Sequence, residues 1–231
     1  FTKCPAEHFS WLAKMSVAID DMVSQYHFDA LSLRCWNEMH NEFQIAPCVL
    51  LSELNNRGIA TSCEMDVTNV VTMRALQAAS ECPAGCVDWN NNYGDDLNKV
   101  ILFHCGPIAQ DLMEARGTVG VHKMFAKGND PDHGWGVNEG RIAKMPMTYA
   151  SATTLNGKLY TYVDEGEFTG EPIEDAYFGC AGVAKIDNLQ KKVIYMQRAG
   201  FRHHTTFGKG HVKLAISEAF SNYLGYEHTD L

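Results

Sequence analysis

The stretch GIATSCEMDVTNVVTMRALQAASECPAGCVDWN, residues 58–90, decides the fold. Ile59 to Cys63 is a short strand-like run, Val67 to Ala79 carries helical spacing, and Gly85 to Trp89 is strand-like again. A further continuous apolar run follows at Val100 to His104. Towards the N-terminus the same alternation continues, with a strand at Ala30 to Leu33 running into Cys35 and Trp36. A helix then runs from about Pro47 to Asn56, closed by Gly58. Residues 6 to about 26 place Phe9, Leu12, Ala13, Ser16, Val17, Ile19 and Val23 on one helical face. Alternation of this kind predicts a parallel sheet covered by helices, with ligands gathered at the carboxyl ends of its strands.

After about Gly106 the character changes. Glycines punctuate the chain at Gly117, Gly120, Gly128, Gly134, Gly136 and Gly140, and β-like runs follow at 142–153, 158–163, 177–184 and 192–197. Asn156-Gly157 between the first two runs is a hairpin signal, because both central residues of the tight primed turn need positive φ. The expected architecture is α/β plus all-β. A Rossmann-like parallel α/β/α domain would span 1–106, and a small antiparallel β-barrel domain 107–231, ending in a helix from about His211 to Leu224.

Bulk properties narrow the function. The 231 residues carry a formal charge of −9, with Lys and Arg scattered, so there is no basic stripe to neutralise phosphates and nucleic acid is not an expected partner. No apolar run approaches the roughly 20 residues that cross a bilayer, so no membrane is expected as a partner, and FTKCPAEHF lacks the order of a signal peptide. A cytoplasmic location is the expectation. Of the eight cysteines, several end apolar runs where a reduced thiol packs as a small core residue. Cys82 and Cys86 have no second pair at zinc-ribbon distance. The chain opens on Phe1 with a helix starting almost at once, which reads as a fragment.

Four segments carry chemistry: CEMDV at 63–67, CVDWN at 86–90, FHCG at 103–106 and RHHTTFGKGH at 202–211. Each puts a carboxylate or an imidazole at a strand end or in a turn. Mixed oxygen and imidazole donors suit Mn²⁺ or Mg²⁺, whereas an all-thiolate set would suit zinc. Glu64 before helix-forming residues also reads as an acid compensating a helix N-terminus. Asp88, between Val87 and Trp89, is an acid inside an apolar run and must be paired, metal-bound or protonated there. His104 taken alone reads as a core histidine bonded to backbone. His203 and His204, after a glycine, read as a polar loop dense in imidazole.

The order Glu64, then Asp88 24 residues on, then a distant Gly-x-x-His-His loop resembles the metal site of the L-fucose and L-arabinose isomerase family. CWNE at 35–38 and FHCG are similar to a broader fucose-isomerase-like group. The resemblance runs from about Leu31 to Leu224 and covers the middle-to-C-terminal catalytic portion of a family member. It implies a ketol isomerase acting on an open-chain sugar such as L-fucose, L-arabinose or D-arabinose through a metal-stabilised cis-enediol. It also implies Mn²⁺ (or Mg²⁺) on Glu64, Asp88 and His204, with His104 a fourth ligand if the arabinose-type pattern holds. Glu64 and Asp88 would move protons, and Trp36, Glu38 and His203 would line the sugar. The implied partners are the monosaccharide, an N-terminal domain of the same polypeptide, and further copies of the chain in a homo-oligomer, a trimer or hexamer. A metal-dependent hydrolase or lyase using the same ligands, and a catalytically silent sugar-binding or assembly module, are the alternatives.

Overall fold

The computed structural model describes residues 1–125, 132–174 and 177–231. Gly128, one of the turn glycines, lies outside the described residues. The chain forms a mixed α/β structure with a large mixed sheet and a few helices. In order, the elements are α1 (Ala6–Tyr26), β1 (Ala30–Ser32), α2 (Glu38–Phe43), α3 (Cys48–Asn56), β2 (Ala60–Ser62), α4 (Val67–Ser80), β3 (Ala84–Asn92) and β4 (Lys99–His104). They continue as β5 (Thr118–Val121), β6 (Trp135–Arg141), β7 (Met145–Leu155), β8 (Lys158–Phe168), β9 (Cys180–Lys185), α5 (Leu189–Arg198), β10 (His204–Lys209), α6 (Lys213–Glu218) and β11 (Glu227–Asp230).

The expected parallel sheet shrinks to one pair. β1 and β2 run parallel from Ala30↔Ala60 to Ser32↔Ser62 and form a sheet of their own. β3 and β4, expected beside them, instead pair antiparallel with each other and join the nine-stranded sheet. The pairings of that sheet therefore run across residue 106. A continuous apolar run is compatible with either setting, because it records burial on both faces and says nothing of the neighbouring strand's direction.

The nine strands are ordered β11-β8-β7-β10-β3-β4-β9-β6-β5, and β8 also pairs with β9 through Glu167↔Lys185 and Phe168↔Ala184. Six antiparallel strands (β8, β7, β10, β3, β4 and β9) thus return upon themselves in a closed ring of pairings. Val87, Leu102, Met147, Tyr149, Phe168 and Phe207 belong to one buried cluster drawn from these strands. Gly85 lets Phe207 in: a Cβ there would stand 2.5 Å from the ring. The Asn156-Gly157 turn is as the sequence indicates, joining β7 to β8 with φ of 52° and 75°.

One run read as a strand, Lys192 to Gln197, is instead part of helix α5. Leu189 and Met196 of α5 are buried and Val193 packs against the same cluster, an i, i+4, i+7 face. The final helix is shorter than expected: α6 gives way to a π-helical turn at Ala219–Tyr223. No helix among the described residues is long and apolar enough to cross a membrane, and all eight cysteines are unpaired.

Helix α4 packs against β10 and β7 of the ring as well as β1 and β2. Alternation along β10 and β3 turns Phe207 and Val87 towards the ring's main cluster, while Cys86 joins the cluster that includes Met73 and Leu76 of α4. Thr206 Oγ1 meets Thr72 Oγ1 of α4 at 2.7 Å. His204 and Asp88 share the parity of Thr206 and Cys86, so they face the N-terminal end of α4.

Candidate metal and catalytic site

Two of the expected residues are set side by side by sheet register, since His204 on β10 pairs with Asp88 on β3. His204 Nε2 lies 3.3 Å from Asp88 Oδ1. Glu64 arrives from the other direction, on the turn between β2 and α4, with its Oε2 3.8 Å from the same His204 nitrogen. That turn is strained: Glu64 and Met65 have φ of 60° and 57°, where a side chain normally costs about 1–2 kcal/mol. Strain of this kind persists only where surrounding structure imposes it, and it concentrates at functional sites.

Asp66 is the residue that the sequence reading passed over. It is the N-cap of α4, with Oδ1 accepting from Asn69 N at 3.1 Å and from Thr68 Oγ1 at 2.9 Å. Its second oxygen lies 2.7 Å from His204 Nδ1 and accepts from Asn69 Nδ2 at 2.6 Å. Burial pushes the pKa of this carboxyl up, but the hydrogen bonds from His204 and Asn69 override it and hold the pKa at about 2. An ionised carboxylate only accepts, so the proton of His204 sits on Nδ1 and the Nε2 lone pair faces Glu64 and Asp88. Asn69 completes the brace by accepting from Ser151 Oγ and Ala152 N of β7, and Ser151 Oγ donates to the His204 carbonyl. An Asp before a helix is legible in sequence as a cap; its reach to a histidine 138 residues on is not.

Asp88 Oδ1 is buried without a hydrogen-bond partner. Burial raises the pKa of this carboxyl, the neighbouring histidines His104, His204 and His203 oppose it whenever they are protonated, and Glu64 adds to the rise. Asp88 Oδ1 and Glu64 Oε2 each lie within 4 Å of His204 Nε2, and carboxylate and imidazole donors are the kind that a hard or borderline divalent cation takes. Asp88, His104 and His204 offer donor atoms within 4.8 Å of one another, as do Glu64, His203 and His204.

The remaining candidates divide. His104 is buried, with Nε2 3.3 Å from His204 Nε2 and Nδ1 accepting the Cys105 N–H at 2.9 Å. His203 is 62% exposed at its side chain and stands 3.6 Å from Asp88 Oδ1, at the open side of the cluster. Trp36 belongs to an aromatic group with Phe125 and His122 and packs on the cluster that contains Cys63, next to Glu64. Glu38 opens α2 and pairs with Arg34 at 2.8 Å, both exposed.

Residues 102–230 match the family described as the L-fucose isomerase C-terminal domain. The chain belongs to that family. Among curated relatives, the sulfoquinovose isomerase of Priestia aryabhattai is 27% identical over 202 residues, covering 87% of this chain and 44% of the relative. The sulfoquinovose isomerase of Clostridium sp. (strain MSTE9) is 29% identical over 217 residues, covering 90% of this chain and 46% of the relative. That of Alkalicoccus urumqiensis is 30% identical over 112 residues, covering 48% and 25%. The chain thus spans under half the length of these fucose isomerase-like relatives. His104 and the pair His203-His204 lie inside the matched family region, whereas Glu64 and Asp88 lie before it.

Proposed function

We propose that this chain carries the catalytic portion of an aldose–ketose isomerase, with Mn²⁺ or Mg²⁺ held by Glu64, Asp88 and His204. The observation that supports it most is the unpartnered buried oxygen of Asp88 beside a histidine whose free lone pair is fixed by Asp66. When bound, the ion would supply Lewis acidity at the C1 and C2 oxygens of an open-chain sugar. Glu64 and Asp88 are the two proton carriers: one takes the C2 proton, the other handles its return to C1, and a cis-enediol lies between. Asp88 suits the base role because its buried carboxylate lacks a competing donor. Asp66 holds His204 in one tautomer, and His104 stands behind His204 as a fourth donor.

His203, exposed at the mouth, is placed to hydrogen-bond sugar hydroxyls, and Trp36 offers an apolar wall. A sugar contact from Glu38 requires its pair with Arg34 to open. The length of the relatives supports an N-terminal portion that completes the pocket, and the family resemblance supports a homo-oligomer and a cytoplasmic location. Sulfoquinovose joins L-fucose, L-arabinose and D-arabinose as a candidate substrate, because the named relatives are sulfoquinovose isomerases.

The test is exchange of the C2 proton with solvent, followed by NMR for these four sugars in the full-length polypeptide with Mn²⁺ or Mg²⁺. Metal-dependent exchange and ketose formation with at least one sugar is expected, and Asp88→Asn should lower the rate by about 10²–10⁴-fold. Absence of exchange with every sugar, or an Asp88→Asn enzyme of undiminished rate, overturns the reading.

A further inference from the structure

Behind the carboxylate–histidine site lies a second donor cluster of different chemistry. Cys63, His104 and Cys105 are all buried and offer donor atoms within 4.8 Å of one another. His104 Nδ1 lies 3.2 Å from Cys105 Sγ and 3.7 Å from Cys63 Sγ, and His104 Nε2 lies 3.3 Å from Cys63 Sγ. A third thiol stands one step away, with Cys48 Sγ 3.5 Å from Cys105 Sγ. Cys35 packs in the same buried cluster.

These separations can be compared with those of a bound ion. Metal–sulfur and metal–nitrogen bonds of about 2.3 and 2.0–2.1 Å in a tetrahedron put donors roughly 3.6 Å apart for N···S and roughly 3.8 Å for S···S. The separations to Nδ1 and between Cys48 and Cys105 lie within a few tenths of an ångström of these values. Thiols that merely fill a core have no reason to converge on an imidazole.

We propose that Cys63, Cys105 and His104, with Cys48 beside Cys105, form a buried site for a thiophilic d¹⁰ cation, Zn²⁺ or Cu⁺, of different chemistry from the carboxylate site. Two thiolates and an imidazole select a soft ion, whereas Glu64 and Asp88 select a hard one, so the two sites would sort metals by donor type. Binding releases the thiol protons to solvent and replaces the Cys105 N–H contact at His104 Nδ1. A metal at His104 Nδ1 would leave its Nε2 turned towards His204, 3.3 Å away.

Cobalt titration of the reduced full-length polypeptide under anaerobic conditions tests this. One Co²⁺ per chain with strong near-ultraviolet thiolate-to-cobalt absorption is expected, retained in Asp88→Asn and Cys82→Ser and lost in Cys63→Ser and Cys105→Ser. Chasing the colour with Zn²⁺ or with Cu⁺ separates the two ions: stoichiometric displacement by one and not the other names the occupant. A measurement on the unsubstituted protein guards against variants that misfold: bound Zn²⁺ or Cu⁺ should protect at least two thiols from a disulfide reagent under native conditions, with release by chelator. Absence of thiolate absorption in the unsubstituted protein, absorption that persists in Cys63→Ser, or thiols equally reactive with and without the ion overturns the proposal.

Discussion

The closed ring of β3, β4 and β7–β10 and the small parallel pair β1–β2 contribute to the same site by opposite means. The ring places Asp88 and His204 through backbone register, so their separation is fixed by the hydrogen bonds of two paired strands. The parallel pair delivers Glu64 through a turn in which two successive residues adopt left-handed φ. Rigid pairing fixes the two candidate donors of the ring, while the third candidate, Glu64, sits in a strained turn that leads into α4 and its Asp66 cap. Between the two regions, Asp66 touches both, capping α4 with one oxygen and bracing His204 with the other.

The contrast can be broken at its strongest point first. Phe207 is wholly buried in the ring, edge-on to Phe168 at 4.9 Å. Phe207→Ala should cost about 3–5 kcal/mol in chemical denaturation and lower affinity for the divalent ion. A loss under about 1 kcal/mol would show that ring packing does not govern the site.

Next is the brace itself. Asp66→Ala is expected to weaken Mn²⁺ binding by about 10–100-fold, read by calorimetry, because His204 loses its fixed tautomer. It should also lower stability by about 1 kcal/mol through loss of the cap. The sign with pH follows from a carboxyl whose folded pKa of about 2 lies below its ordinary 3.8. Its stabilisation is fully present above about 3.8 and disappears as pH falls towards 2. The slope of stability between those values should flatten in Asp66→Asn, and an unchanged slope would mean that Asp66 is not ionised there.

The smallest effect separates strain from packing. Met65 is 53% exposed with φ of 57°, so Met65→Gly should gain about 0.5 kcal/mol in thermal unfolding as left-handed strain is relieved. The same change should lower kcat/KM by loosening Glu64. A more stable enzyme with full activity would show that the strain has no part in placing that carboxylate.

Much was readable in the chain before folding. Helical spacing in 6–26 and 67–79 gives α1 and α4, Asn156-Gly157 gives the β7–β8 turn, and an acid inside an apolar run singles out Asp88. Glu64, Asp88 and His204 were legible as metal-ligand types because donor chemistry is a property of the side chain alone. Lys192 to Gln197 misled because a short mixed segment satisfies two periods at once, and only burial of Leu189 and Met196 on one face decides for a helix.

Local sequence determined the periods, the turn and the donor inventory, since each depends on neighbouring residues. Tertiary structure decided the partners: that β3 and β4 turn antiparallel into a closed ring, that Asp66 reaches His204, and that Cys63, His104 and Cys105 converge. A strand's apolar pattern specifies which face is buried, whereas the direction and identity of its neighbour come from how all the strands together satisfy their backbone hydrogen bonds.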